Sequence, residues 1–342
     1  MIRFGIAGIP LSSKGRTLRD GIEDAYLMGL SALEVQFLKV NIFEKEAFEE
    51  AGLYPREVVP DKREESRIIV NISRADKNGN FVPIGINSKI EENDILQILQ
   101  WNLARSYEEL RDLKTLAKEL DIKINIHTPY YMDLINNPNL IERSINYILW
   151  SSYLGDELGA EMVISNIGLY EKLKSADALK IVDMNIKQIR KRLKKEKINL
   201  KLGFETSEKK EVFGALDELV TLSSNNSGVL PIINFAKLFA RQDYTLKEKE
   251  EFETILDMVK PYYKNELYFQ FAGIEFTANN DIRISPVKKG DLKFEALADL
   301  LVNEDREITI ISNSPLIEHD AQYMRIIYER KLGDLLQKKV KK

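Results

Sequence analysis

Six short apolar runs in this 342-residue chain each stop at one polar residue. They are IKINIH ending at His127, MVISN at Asn166, LGFE at Glu205, PIIN at Asn234, LYFQ at Gln270 and TIISN at Asn313. A carboxylate and an imidazole brought together can exchange a proton or hold a metal ion. Amides hydrogen-bond to hydroxyls and to one another, but their neutral oxygens hold transition metals weakly. One imidazole, one carboxylate and four amides therefore look like a metal site whose ligands have been exchanged for uncharged counterparts of similar shape. Two cations follow the fourth run closely, Lys237 and Arg241 in NFAKLFAR.

Residues at such positions need elements that aim them at one place. An apolar run of four to six residues, rich in Ile and Val and followed by a helical stretch, reads as a buried parallel strand. Two more runs precede the six, RFGIAG (3–8) and ALEVQF (32–37), which makes eight. Helical periodicity follows the first run, with Thr17 as N-cap and Asp20 at the third helical position. It returns over 103–120, where Ser106 and Glu109 form a capping-box pair, and over 141–158, 176–193, 210–222, 245–259, 294–302 and 321–336. Eight strands each followed by a helix predict a single (β/α)8 TIM barrel domain over 1–342, with the active residues at the strand ends. An open doubly wound sheet would want a glycine-rich phosphate turn after its first strand, and GIAGIPLSSKG is a poor match.

About eighty residues separate the second run from the third, against roughly thirty for the other crossovers. Within them RIIVNIS (67–73) and NFVPIGI (80–86) flank ADKNG, whose Asn-Gly pair predicts a β-hairpin, and 91–104 reads as an amphipathic helix. The stretch 44–105 is thus expected to be a hairpin-plus-helix insertion on the catalytic face after strand 2, shaping access or meeting a protein partner. The tail KKVKK reads as a frayed helix end.

Composition narrows the classes. Hydrophobic residues make up 44%, enough for a large core, and charged residues 30% with a net charge of −4, which marks neither a membrane-seeking nor a strongly polyanion-seeking chain. A local basic rim remains compatible with that balance. There is no cysteine and there are only two histidines, so thiolate sites and an imidazole-rich zinc site are excluded. The first residues lack the apolar core of a signal peptide and no apolar stretch nears the length of a membrane span, so a cytoplasmic protein without a membrane partner is expected.

The motifs IRFGIAGIPLSSKGRTLRDGIEDA, NIHTPYYMDL, GFETSEK, PIINFAKLFAR, FQFAGIEF and IISNSPLIEHDA, in that order, resemble the archaeal branch of the endonuclease IV family. Its members are xylose-isomerase-like TIM barrels that cut DNA beside abasic sites with a zinc cluster. The resemblance covers nearly the whole chain except the insertion. It implies that His127, in HTPYY, and Glu205, in FETS, keep two of the family's ligands. It equally implies that Asn166, Asn234, Lys237, Gln270 and Asn313 stand where the family has histidine, aspartate, histidine, histidine and glutamate, while DIRISPV offers Ile284 for a further histidine.

Zinc hydrolysis needs anionic or imidazole ligands to hold the ion and acidify its water. An ammonium at Lys237 would repel the ion. The resemblance together with these exchanges implies a barrel that has lost or altered the family's zinc chemistry, a pseudoenzyme with no expected cofactor, zinc being the cofactor if the exchanged positions still hold it. Glu205, His127 and Lys237 are the candidate catalytic residues. Glu205 reads as a remnant acid, a base, or the salt-bridge partner of Lys237, and the last is favoured because an unpaired buried carboxylate is costly. Lys237 offers phosphate stabilisation as its alternative, and His127 the satisfying of a neighbouring amide. Tyr130, Asn166, Asn234, Gln270, Asn313 and Arg241 are the candidate substrate-binding residues. Tyr130 and Tyr131 suit a wedge against unstacked bases, with half-buried loop tyrosines as the plain alternative. Lys14, Arg16, Lys39 and Arg241 suit a phosphate rim or ordinary surface charge, and His319 reads as structural. The favoured function is binding of duplex DNA with abasic or damaged sites, related to DNA repair. A metal-independent sugar or sugar-phosphate isomerase or epimerase, and an interaction scaffold built on 44–105, are the alternatives.

Overall fold

All eight apolar runs are strands, and they close on one another. The computed structural model describes residues 1–60, 66–276 and 282–340. In chain order the strands are β1 (Ile2–Ala7), β2 (Ala32–Gln36), β3 (Val40–Glu46), β4 (Ile68–Ala75), β5 (Phe81–Pro83), β6 (Ile95–Trp101), β7 (Lys123–His127), β8 (Met162–Ser165), β9 (Lys201–Glu205), β10 (Val229–Asn234), β11 (Glu266–Phe271), β12 (Gly273–Phe276), β13 (Ile282–Ser285) and β14 (Glu307–Ser312). Eight of them form a closed parallel barrel in the order β1-β14-β11-β10-β9-β8-β7-β2, while β12 and β13 form a separate hairpin. The helices are α1 (Leu18–Leu27), α2 (Tyr107–Glu119), α3 (Pro138–Leu158), α4 (Ser175–Lys195), α5 (Leu216–Asn225), α6 (Phe235–Ala240), α7 (Lys249–Val259), α8 (Phe294–Leu301) and α9 (Ile317–Val340). The protein is a TIM barrel.

Local chemistry sets the ends of these elements. Thr17 accepts the Asp20 N–H at 3.1 Å while Asp20 accepts the Thr17 N–H at 2.9 Å, the reciprocal cap expected from sequence. α3 begins with Pro138 behind the Asn137 cap and ends at left-handed Gly159, where proline costs no hydrogen bond and glycine no steric clash. Gly5 is needed where β1 crosses close to β2, since a Cβ there would lie 2.4 Å from the Ala32 carbonyl oxygen. No helix among the described residues is long and apolar enough to cross a membrane.

The insertion departs from expectation. It is a four-stranded antiparallel sheet of order β3-β6-β4-β5, starting at Val40 rather than 44. The hairpin is present as β4 and β5, turning through Asp76 and left-handed Gly79. The segment 91–104, expected to be a helix, holds the central strand β6. In ILQILQW two apolar residues of every three mimic a helical face, but the cause is a sheet covered on both sides. Leu96 and Ile98 pack with Ile69, Ile72 and Val58 in a small core, whereas Leu99 and Trp101 join the main core with Ile68 and Val70. Covered on both faces, the strand has lost its alternation.

Nor does the sheet sit over the catalytic face. Arg56 pairs with Glu157 near the end of α3 at 3.2 Å, and Glu196, just past α4, accepts the Ile86 N–H at 3.1 Å. Helices here end at the pole opposite the strand ends. The insertion therefore leaves from the catalytic face and lies along the barrel's flank. Residues 61–65 of the expected insertion, Asp281 of DIRISPV, and the last two residues of KKVKK lie outside the described residues.

Candidate functional site

Asn234 ends β10 and also caps α6, its Oδ1 accepting the Lys237 N–H at 3.1 Å. A strand that turns straight into a helix fixes the third helical residue against its own cap. Lys237 is thereby brought back over the barrel mouth, with its Nζ 3.0 Å from Glu205 Oε2 at the end of β9. His127, at the end of β7, places Nε2 3.1 Å from the same oxygen. The other carboxylate oxygen, Oε1, accepts from Asn234 Nδ2 at 2.6 Å, and that amide also donates to Gln270 Oε1 at 3.1 Å. Gln270 Nε2 then donates to Glu34 Oε2 at 2.7 Å, where the Tyr268 hydroxyl donates at 2.6 Å, and Gln36 Nε2 reaches Glu34 Oε1 at 3.0 Å. One buried chain of polar groups spans the barrel from Lys237 to Glu34.

Burial alone would raise the Glu205 pKa, but the Lys237 charge and the hydrogen bonds from His127 and Asn234 hold it down, to about 2. Burial alone would lower that of His127, yet the bond to Glu205 and the charges of Glu34 and Glu205 lift it above its ordinary value. Its Nδ1 faces the Thr128 carbonyl at 2.7 Å, so both ring nitrogens meet acceptors and the imidazolium satisfies both. Burial and the Glu34 carboxylate push Tyr268 well above the usual phenol range.

The structure brings Glu205, His127, Lys237, Asn234 and Gln270 together and places the other candidates around or away from them. Asn166 Oδ1 accepts from Lys237 Nζ at 3.4 Å. The Tyr130 ring lies over the same ammonium, 5.1 Å from Nζ to centroid, and its hydroxyl donates to Glu208 at 2.7 Å. Tyr131 packs edge-on against Tyr130 with centroids 5.3 Å apart and is 90% exposed. Asn313 stands apart: its N–H donates to Phe271, and its buried Oδ1 has no partner among the described residues. Arg241 does not join a phosphate rim. Its buried guanidinium clamps the loop after β9, donating to Ser207 Oγ at 2.8 Å and the Val212 carbonyl at 3.1 Å, with Asp243 at 3.0 Å. Lys14, Arg16 and Lys39 are exposed on the loops after β1 and β2. His319 is exposed in the first turn of α9, and Ile284 is exposed on β13.

Sequence reasoning missed Glu34, Tyr268 and Glu208. The first two carry a legible signal. Glu34 and Gln36 in ALEVQF, and Tyr268 and Gln270 in LYFQ, stand two apart and so share one strand face. A polar pair at that spacing inside an apolar run marks the interior of the barrel, deeper than the strand end. Glu208 sits on a loop and carries no such signal.

The donor set does not fit the zinc cluster that the resemblance implies. Among the described residues no group of three or more His, Cys, Asp or Glu side chains is placed to share an ion. Glu205 spends Oε1 on an amide and Oε2 on two cationic groups. Nor does Glu205 suit a general base at neutral pH, since its pKa lies far below the working range. The centre of the barrel holds charge in balance.

No family model matches the chain. An uncharacterized protein of Methanocaldococcus jannaschii, MJ0133, is 26% identical over 260 residues, 72% of this chain and 94% of that protein. Among solved structures, endonuclease IV from Thermus thermophilus superposes with a TM-score of 0.61 at 13% identity, covering 96% of this chain and 99% of that one. An L-ribulose 3-epimerase does so with 0.57 at 10% identity, covering 99% and 97%. The 3-keto-D-glucoside 4-epimerase YcjR of E. coli gives 0.57 at 8% identity, covering 95% and 100%. At these identities the likeness carries the fold, a TIM barrel, and leaves the chemistry open.

Proposed function

We propose that this protein binds DNA at the mouth of the barrel, at a site where a base is missing or unstacked, and that its central residues do not hydrolyse the backbone with zinc. The observation that carries this is Tyr131. An aromatic ring 90% exposed, set edge-on to Tyr130, which is itself held by Glu208 and the Lys237 ammonium, offers a free aromatic surface beside the mouth. Such a ring stacks on an unpaired base or fills the gap a lost base leaves. Exposed Lys14, Arg16 and Lys39 on neighbouring loops supply backbone-phosphate contacts. A likeness in fold to the T. thermophilus endonuclease IV agrees with this reading.

The sugar-isomerase alternative draws on the fold of the two epimerases. It requires a base to move a proton next to a carbonyl, and Glu205 is both occupied and too acidic for that work. DNA binding needs no such group.

The test is electrophoresis of a labelled duplex carrying one abasic-site analogue, with and without zinc or manganese, under native and denaturing conditions. A retarded band with no cut supports the proposal, and Tyr131→Ala should weaken that band about tenfold or more, since stacking on one base is worth about 1–3 kcal/mol. Metal-dependent nicking overturns the loss of hydrolysis, and no retardation at low salt overturns DNA binding.

A further inference from the structure

Beside the mouth, where β1 and β2 end, lies a cleft of about 530 Å3 that the polar network does not use. Arg16 and Lys39 line it from opposite loops, Gln36 and Asn102 add amides, and Leu38 and Leu103 are among its apolar walls. Asn102 and Leu103 directly follow β6, so the end of the inserted sheet forms one wall. No carboxylate lines the cleft among the described residues, and neither cation has an ion-pair or hydrogen-bond partner there. Two cations facing one concave space with no carboxylate beside them mark a place for a doubly charged anion.

The backbone agrees. Arg16 and Lys39 have φ of 59° and 55°, in the left-handed region that side chains other than glycine usually avoid. Such conformations tend to collect where the surroundings dictate them, at ligand sites above all. Gln36 completes the arrangement. Its Nε2 is turned inward onto Glu34, which leaves its Oε1 as an acceptor for a ligand hydroxyl.

We propose that this cleft binds a sugar-sized phosphate monoester, the phosphate on Arg16 and Lys39, hydroxyls on Gln36 and Asn102, and the carbon skeleton against Leu38 and Leu103. A monoester carries close to two negative charges at neutral pH, matching the two cations, whereas the diester of a continuous strand carries one. The volume is at the small end of ligand pockets and admits a pentose or hexose phosphate. The site shares Arg16 and Lys39 with the phosphate contacts of the DNA-binding proposal but does not rest on it, since its ligand enters beside the mouth and does not touch Tyr131.

Isothermal titration of the full chain with ribose 5-phosphate, ribose and inorganic phosphate tests it. Ribose 5-phosphate should bind with a Kd at or below about 1 mM and more tightly than either of its parts. Arg16→Ala and Lys39→Ala should each weaken it about tenfold or more, as loss of a charge-assisted hydrogen bond does, while Lys191→Ala, on α4 away from the cleft, leaves it unchanged. All three side chains are exposed, and an unchanged melting temperature shows that each variant is folded. The same phosphate chemistry is offered by a free sugar phosphate and by the end of a nucleic-acid strand, so a 5′-phosphorylated trinucleotide is the second arm. Tighter binding of one arm assigns the source, and either assignment upholds the site. Absence of binding in both arms, binding equal to that of inorganic phosphate, or indifference to Arg16→Ala and Lys39→Ala would overturn it. Abasic-duplex retardation with Tyr131 intact survives all of those outcomes, so the two proposals fail separately.

Discussion

Replacing Glu205 by Gln keeps shape and removes one charge from the centre of the barrel. Lys237 and His127 then face an amide where each had a carboxylate oxygen at 3.0 and 3.1 Å. Two buried cations lose their shared counterion. The magnitude follows from the proton equilibrium: Glu205 falls from 4.5 in the unfolded chain to about 2 in the fold. At about 1.4 kcal/mol for each tenfold in acidity, that contributes about 3 kcal/mol. Removing one partner of a buried ion pair costs about 3–5 kcal/mol by independent reasoning, which agrees. A depressed carboxyl pKa contributes stability that is present above about 4.5 and lost as pH falls toward about 2. Less than half of it remains at pH 3. Urea unfolding followed by circular dichroism should therefore show Glu205→Gln about 3 kcal/mol less stable than the parent at pH 7, with the gap closing at pH 3. The double variant Glu205→Gln with Lys237→Met removes the orphaned ammonium and should recover about 1 kcal/mol or more. A single variant within about 0.5 kcal/mol of the parent at pH 7, or a gap that does not narrow with acid, would refute the central ion-pair account.

Two other consequences are open to direct measurement. In a His319→Asn background the single remaining imidazole resonance, that of His127, should titrate above 6.5, and the stability this proton adds is full below about 6.5 and lost as pH rises through the raised value; a midpoint at or below 6.5 contradicts the paired imidazolium. Arg241→Lys should destabilise by about 2 kcal/mol and expose the 207–212 loop to proteolysis, because an ammonium cannot reach Ser207, Val212 and Asp243 together; unchanged protection of that loop would deny the clamp.

The barrel was legible because a parallel sheet covered on both sides writes itself as eight apolar runs, and its helices as caps such as Thr17–Asp20. The same rule hid the inserted sheet. β6 is covered on both faces too, and without strict alternation ILQILQW carries a helix-like spacing that only its pairing with β3 and β4 resolves. At the site, strand-end residues were visible as breaks in the runs, and four of them, His127, Glu205, Asn234 and Gln270, converge. What the sequence did not disclose is which polar groups bond to which. Arg241 is turned onto Ser207 and Val212 of the loop after β9, while Glu34, whose spacing from Gln36 marks only a strand face, bonds to Gln270 and anchors the far end of the network. Both outcomes depend on three-dimensional neighbours far off in the chain, on which spacing is silent.

The amides at the centre are set by charge as much as by shape. Glu205 and Glu34 are joined through Asn234 and Gln270, each donating to a carboxylate, so the two negative groups are kept apart by a neutral bridge. Asn234→Asp places a carboxyl where Nδ2 now lies 2.6 Å from Glu205 Oε1 and 3.1 Å from Gln270 Oε1, with acceptors on both sides. Two carboxylates at that separation cannot both ionise, so one takes up a proton and its pKa rises. Because a raised carboxyl pKa favours the fold below the unfolded value and opposes it above, the variant should lose about 3 kcal/mol at pH 7 and regain much of it near pH 4. Thermal unfolding across that range measures this directly. The same variant also restores an acidic group to the site, so it is the fairest chance for a metal ion. If zinc raises the melting temperature of Asn234→Asp at pH 7 while leaving the parent unmoved, only the exchanged donors kept the ion out. If zinc leaves both unmoved, the Lys237 ammonium beside Glu205 excludes it whatever residue stands at 234.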